Sequence, residues 1–186
     1  MIHLYLCRHG QTVENHNRIL QGQMHGHLNE EGKQQAISMG DKLRSIKADV
    51  VICSDLQRCI DTAHLALGDN QELVFEPLLR ERDWGPLTGK TIEEARLHPD
   101  IDNCGETIAD LYKRAKTLLR KWENEYDGQT IIAFGHGMTN RVLQATYYGV
   151  SVKEIEKMDN AEVRQLDIQT PIVFRYQVES SEASAN

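Results

Sequence analysis

The chain has 186 residues, a hydrophobic content of 40% and a formal net charge of -7. That is enough apolar material for the core of one domain. The acidic balance, with no long run of Lys or Arg, argues against nucleic acid or an anionic membrane surface as the main partner. No apolar stretch approaches membrane-spanning length, and the first strand begins at once without a signal-like segment, so a cytoplasmic protein is expected. Cys7, Cys53, Cys59 and Cys104 have the spacing of neither a zinc site nor a disulfide framework. They read as reduced thiols serving as small hydrophobes.

Ile2, Leu4, Tyr5, Leu6 and Cys7 read as a strand buried on both faces. The run stops at Arg8-His9-Gly10, where glycine permits a sharp turn. Arg8 and His9 then lie at the carboxyl end of a strand, where open α/β sheets bind ligands. Residues 11–29 form a long polar loop. Asn29 is placed to cap a helix that carries Glu30 and Glu31 in its first turn. Ala36, Met39, Leu43 and Ile46 recur at helical spacing, and the helix is expected to run to about Lys47. Residues 49–53 are a second buried strand. Ser54 followed by Gln57 reads as a capping box, which puts Arg58 in the first or second turn of a helix. Leu56, Ile60, Ala63 and Leu67 supply its buried stripe, and Gly68 with Asn70 ends it.

Leu73-Val74-Phe75 is a third strand. Residues 77–85 are a charged loop that contains Glu81 and Trp84, and a short helix covers residues 91–97. A long helix is predicted over 106–126, with Ile108, Leu111, Ala115, Leu118, Leu119 and Trp122 inward. Asp127-Gly128 turns the chain into the clearest buried strand, residues 130–134, which ends in Gly135-His136-Gly137 before a helix over 138–148. A helical turn is expected within 151–157. Residues 162–168 and 172–178 alternate and suggest an antiparallel hairpin at a sheet edge. Strands alternating with helices predict an α/β fold, a three-layer α/β/α sandwich with a mostly parallel sheet and an antiparallel edge. One domain should span 1–178, with 179–186 a disordered tail.

The three best strands end alike. The first delivers Arg8 and His9, the second Ser54 and Arg58, and the strand at 130–134 delivers His136 between two glycines. If these strands are neighbours, Arg8, His9, Arg58 and His136 share one pocket. Two guanidinium forks suit phosphate oxygens, a helix N-terminus adds backbone donors, and a neutral imidazole is a competent nucleophile. The adjacent cations help to keep one ring neutral, and a carboxylic acid at the mouth could protonate the leaving oxygen. The reading requires His9 and His136 at the same edge of the sheet, with both rings reaching solvent.

Arg8-His9-Gly10-x-Thr12 with Asn15, Leu28-Asn29-x-x-Gly32-x-x-Gln35-Ala36 and Ser54-Asp55-Leu56-x-Arg58-x-x-x-Thr62-Ala63 come in order along the chain. Leu79-Arg80-Glu81-x-x-x-Gly85 with Gly89, Gly105-Glu106-Thr107 and Gly135-His136-Gly137 follow. The ensemble resembles the histidine phosphatase superfamily, phosphoglycerate mutase-like branch, as far as about residue 170. The resemblance implies that His9 is the nucleophile that becomes phosphohistidine, and that Arg8, Arg58 and His136 clamp the phosphoryl group. It implies Glu81 as proton donor. Asn15, Gln21, Gly22 and Gly137 fall at or beside positions that touch phosphate or substrate, and no metal or cofactor is implied. The expected substrate is a small phosphorylated metabolite. Departures at Glu14, Leu87-Thr88-Gly89 and Cys104 lie toward the substrate end and leave the catalytic set intact.

A phosphomonoesterase is expected ahead of a mutase, because the segment between Gly89 and Gly105 is short and should leave water with access. A non-catalytic phospholigand-binding module would need neither a nucleophile nor an acid. Cys53 and Arg58 are one residue too close for the phosphate loop of a cysteine phosphatase, and that loop's glycine is missing. His25 and His27 lack companions for a metal site and read as solvated. The sequence sets no oligomeric state.

Overall fold

The structure, a computed structural model, describes residues 1–175. The chain runs β1 (Ile2–Arg8), α1 (Val13–His16), α2 (Glu30–Leu43), β2 (Val50–Cys53), α3 (Gln57–Leu67) and β3 (Val74–Phe75). It continues through α4 (Ile92–Arg96), α5 (Ile108–Tyr126), β4 (Thr130–Gly135), α6 (Gly137–Tyr148) and β5 (Val163–Ile168). The five strands form one sheet in the order β3-β2-β4-β1-β5. β1, β4, β2 and β3 are parallel, and β5 runs antiparallel along β1. The three strands that end in candidate site residues are therefore adjacent, with β4 between β1 and β2. The expected sandwich with an antiparallel edge is the fold observed.

Successive side chains of a strand point to opposite faces, and the two cores follow that rule. Leu4, Leu6, Ile131 and Ala133 join Leu111, Leu118, Leu119 and Trp122 of α5 with Val142 and Leu143 of α6. Cys7, Val51, Cys53, Ile132 and Phe134 join Met39 and Leu43 of α2 with Cys59, Ala63 and Ala66 of α3. The six inward positions expected on α5 are all buried. Its start is fixed by a capping box between Thr107 and Asp110. Asn29 caps α2 by accepting from Gly32 N at 2.8 Å.

Several expectations are corrected. The polar segment after β1 contains α1, closed by a capping box of Thr12 and Asn15. α2 stops at Leu43 rather than near Lys47, because Arg44 turns its guanidinium to Ala66 O and Asp41 and Ile46 N bonds back to Leu43 O. Ser54 is not the cap of α3. The N-cap is Leu56, with no side-chain bond, and the Ser54 hydroxyl is taken up by His136. Among the described residues the expected hairpin does not form. β5 pairs with β1, and residues 172–175 cross toward α5, where Ile172 is buried in the core and its N–H donates to Glu123 Oε1 at 2.5 Å. The rest of that expected strand, residues 176–178, and the tail at 179–186 lie outside the described residues. Gly10 serves close approach rather than an unusual dihedral: a Cβ there would stand 2.4 Å from Gly32 O. Among the described residues no helix is long and apolar enough to cross a membrane.

Candidate active site at the carboxyl edge of the sheet

Because β1, β4 and β2 are parallel neighbours, their C-terminal residues converge. Arg8 pairs in register with Gly135, and Cys7 with Phe134, which also faces Cys53. His9 follows β1 directly and donates its N–H to Gly135 O. His136 is the N-cap residue of α6. Their rings lie edge to face with centroids 5.3 Å apart.

The His9 ring is fixed by its Nδ1, 2.7 Å from Gly10 O. A carbonyl only accepts, so Nδ1 carries the hydrogen and Nε2 keeps a free lone pair. Gly10 N in turn donates to Thr62 Oγ1, whose hydroxyl donates to Arg58 O. The His9 carbonyl accepts from Ala161 N and from Asn160 Nδ2. His136 Nε2 is 2.8 Å from Ser54 Oγ and 3.4 Å from Cys59 Sγ. Burial first, and the Arg58 cation next, hold both imidazoles well below the ordinary histidine value, so both are neutral. Burial also pushes the Cys59 thiol up to about 12, which keeps it protonated.

The requirement that both rings reach solvent is not met, since His9 is 3% exposed and His136 0%, so the shared sheet edge and access past the half-buried Arg8 and Glu81 carry the reading instead. His136 is packed behind Ser54 and Cys59. Residues 22–25 fold over Arg58, which donates to Gly22 O, Met24 O and His25 O. Arg8, Glu81, Gly137 and Met138 remain half-buried and mark the open side.

Arg58 stands in the first turn of α3, where no acidic residue balances it against the helix dipole. Arg58 is 1% exposed, and its Nε has no hydrogen-bond partner. Arg8 Nε is likewise buried and unpartnered, while its Nη1 donates to Met158 O at 2.5 Å. Burial lowers both guanidiniums, and Glu81 pulls both back up, so the Glu81 carboxylate lies within electrostatic reach of the pair. Glu81 itself accepts from Arg82 N, Met138 N, Thr139 N and Thr139 Oγ1. Its backbone is held by Arg114, which reaches Leu78 O, Arg80 O and Glu81 O while paired with Glu106 at 2.7 Å.

Sequence reasoning thus names five side chains that the fold brings together: Arg8, His9, Arg58, Glu81 and His136. Gly137 lies against the Arg8 guanidinium, 3.2 Å from where a Cβ would sit. Gly22 enters through its carbonyl on Arg58. Asn15 is one step removed: its Oδ1 serves Thr12 N and lies 3.3 Å from Asn160 Nδ2. Gln21 is buried against Gly26, with its Oε1 unpartnered. The supporting residues missed are Thr139, Asn140 and Asn160, while Ser54 and Thr62 stand in the quoted motifs but read there as a helix cap and as a residue with no stated role. Thr62 and Asn140 stand four residues after Arg58 and His136 on the same helix faces, a spacing that could have flagged them. Asn140 Nδ2 ties α6 to Cys7 O at 3.0 Å. Asn160 carries no comparable signal. His25 and His27 are exposed, as expected.

A family model for the histidine phosphatase superfamily (branch 1) matches residues 4–171. A probable phosphatase of Schizosaccharomyces pombe is 34% identical over 157 residues, covering 77% of this chain and 72% of the relative. The probable phosphoglycerate mutase GpmB of Erwinia tasmaniensis is 28% identical over 185 residues, covering 91% of this chain and 86% of the relative. Among solved structures, a mycobacterial glucosyl-3-phosphoglycerate phosphatase in complex with VO3 superposes with a TM-score of 0.78 at 26% identity, covering 89% of this chain and 92% of that one.

Proposed function

The chain belongs to the histidine phosphatase superfamily, and on that premise we propose that it is a phosphomonoesterase that works through a phosphohistidine at His9. One observation carries the reading: two neutral imidazoles stand 5.3 Å apart beside two guanidiniums, Arg58 buried and Arg8 half-buried, that each keep an unpartnered buried Nε and have no carboxylate ion pair among the described residues. A buried cation without a counter-charge is costly. A phosphate dianion would supply that charge.

In the proposed reaction His9 Nε2 attacks phosphorus, and the bond to the ester oxygen breaks. Arg8, Arg58 and His136 take the charge that builds on the phosphoryl oxygens. Glu81 gives its proton to the leaving oxygen. As a carboxylate it then takes a proton from water, which attacks the phosphohistidine. The P–N bond breaks, and phosphate and neutral His9 are restored. The role of Ser54 is to fix the His136 ring. Gly137 lies beside the phosphoryl group at Arg8, Gly22 holds Arg58 through its carbonyl, and Asn15 and Gln21 stand one step behind. The chemistry assigns no step to a metal. Names among the relatives, a glucosyl-3-phosphoglycerate phosphatase and a phosphoglycerate mutase, support a small phosphorylated metabolite as substrate class. The four free, buried cysteines suit a reducing compartment, which supports a cytoplasmic location.

The test is phosphate release from p-nitrophenyl phosphate and a panel of phosphometabolites in the presence of EDTA. Turnover is expected, and His9→Ala should cut it by about four orders of magnitude or more, as removal of a nucleophile does, with an unchanged melting temperature. Retained turnover in His9→Ala would remove the intermediate. Interconversion of phosphoglycerate isomers without net phosphate release would assign the mutase reaction instead.

A further inference from the structure

The Glu81 carboxyl is held unevenly. Oε1 receives three donors: Arg82 N at 2.9 Å, Thr139 N at 3.1 Å and Thr139 Oγ1 at 3.1 Å. Oε2 receives one, Met138 N at 3.1 Å. A carboxylate oxygen has two lone pairs to offer, so Oε1 is saturated and Oε2 retains one. Thr139 contributes two of the three contacts on Oε1. Its hydroxyl also lies 2.8 Å from Arg80 O, so one buried side chain is within hydrogen-bond distance of both the carboxyl and the backbone before it and can give its one hydrogen to either.

We propose that Thr139 is a positioning residue that clamps Oε1 and thereby makes Oε2 the oxygen that delivers and recovers the proton. The inference rests on Glu81 as the acid and base of the proposed reaction. A hydroxyl suits the task better than a further N–H. It can turn its single hydrogen to the Arg80 carbonyl or to Oε1, donating to one of them at a time. Proton transfer needs a fixed donor direction at short range. With valine at 139 the main-chain donors stay, but the side-chain hold on Oε1 is lost, and the carboxyl can turn about its last bond.

The consequence depends on the leaving group. An alkoxide must be protonated as it departs, whereas p-nitrophenolate can leave without help. Thr139→Val should therefore lower kcat/KM on a simple alkyl phosphate about tenfold, the effect of one lost charge-assisted hydrogen bond. The kcat/KM for p-nitrophenyl phosphate, which reports the steps up to phosphohistidine formation and not the water step that Glu81 also serves, should stay within about twofold. Thr139→Ser should restore the alkyl rate. If the valine protein does not fold, as judged by thermal melting, Thr139→Ala carries the same comparison. Glu81→Gln is run beside them and should lose about two to four orders of magnitude on the alkyl substrate. Equal losses on both substrates in Thr139→Val, or no rescue by serine, would overturn the positioning role while Glu81→Gln still discriminates. A Glu81→Gln protein that loses equally on both substrates would overturn the reading of Glu81 as the acid, and this inference with it.

Discussion

Arg58 and Arg114 are both largely withdrawn from water, and each donates to three main-chain carbonyls. They differ in what balances their charge. Arg114 forms a two-pronged pair with Glu106, through Nε at 2.8 Å and Nη2 at 2.7 Å, with both side chains less than a fifth exposed. Arg58 has no carboxylate partner among the described residues, sits at the positive end of a helix, and keeps a buried Nε unbonded. The first arrangement is a structural tie: it closes the loop that carries Glu81 onto α5. The second is an unbalanced cation whose carbonyl contacts fix its position without neutralising it. The same residue type is thus spent once on stability and once on affinity for an anion.

The comparison is broken most directly at Arg58. Arg58→Met should lower kcat/KM for phosphomonoesters by about two to three orders of magnitude, the usual cost of removing a group that stabilises transition-state charge. Its unfolding free energy should fall much less than that of Arg114→Met, because removal of an uncompensated buried charge offsets the loss of its three carbonyl contacts. Inorganic phosphate should raise the melting temperature of the parent protein, since it binds only the folded state, and raise that of the variant much less. A variant that loses stability and keeps its catalytic rate would make Arg58 a second structural tie.

Arg114→Met should behave in the opposite way. Breaking one side of a buried ion pair leaves the Glu106 carboxylate stranded and also frees three loop carbonyls. The expected cost is about 3 kcal/mol in urea unfolding. Activity should fall through a misplaced Glu81, so that alkyl phosphates suffer more than p-nitrophenyl phosphate. An unaltered unfolding curve would show that the pair contributes nothing net.

The two arginines also show what can be read without coordinates. Arg58 is legible because its position is locally unfavourable: a cation in the first turn of a helix, just past a buried strand, asks for an anion. The convergence of His9, Arg58 and His136 is legible for the same reason, since parallel strands place their carboxyl ends on one edge of the sheet. Arg114 is not legible. On a long amphipathic helix it reads as one more solvated charge, and its partners at 78, 80, 81 and 106 are joined to it only by the fold. Ser54 misleads because Ser-x-x-Gln is a sound local capping signal, and a contact 82 residues away with His136 outcompetes it. The strand expected over 172–178 fails similarly over its described part, residues 172–175. Alternation describes a surface ready to pair, but β1 already offers its edge to β5, and the core takes Ile172 instead.

The smallest expected effect is on stability as a function of pH, and it follows from the same unbalanced cations. Burial, and next to it the Arg58 charge, hold the His9 and His136 imidazoles well below 6.5. Just below that pH the unfolded chain therefore binds protons that the folded chain refuses. Stability from this source is complete above about pH 7.5 and is lost as the pH falls through 6.5 toward the lower folded values. The slope is about 1.4 kcal/mol per pH unit for each imidazole. Urea unfolding between about pH 8 and pH 5 measures it, and His136→Gln should remove about half of the slope. Arg58→Met takes away the largest charge acting on both rings, so the decline should end at a higher pH than in the parent. Arg114 acts on His136 only behind Arg58 and His9, so Arg114→Met should leave the shape of the profile close to the parent's, displaced downward as a whole. A parent profile that is flat from pH 8 to pH 5 would mean that the two rings are not neutral in the folded protein, and the contrast between a tied and an unbalanced arginine would lose its electrostatic basis.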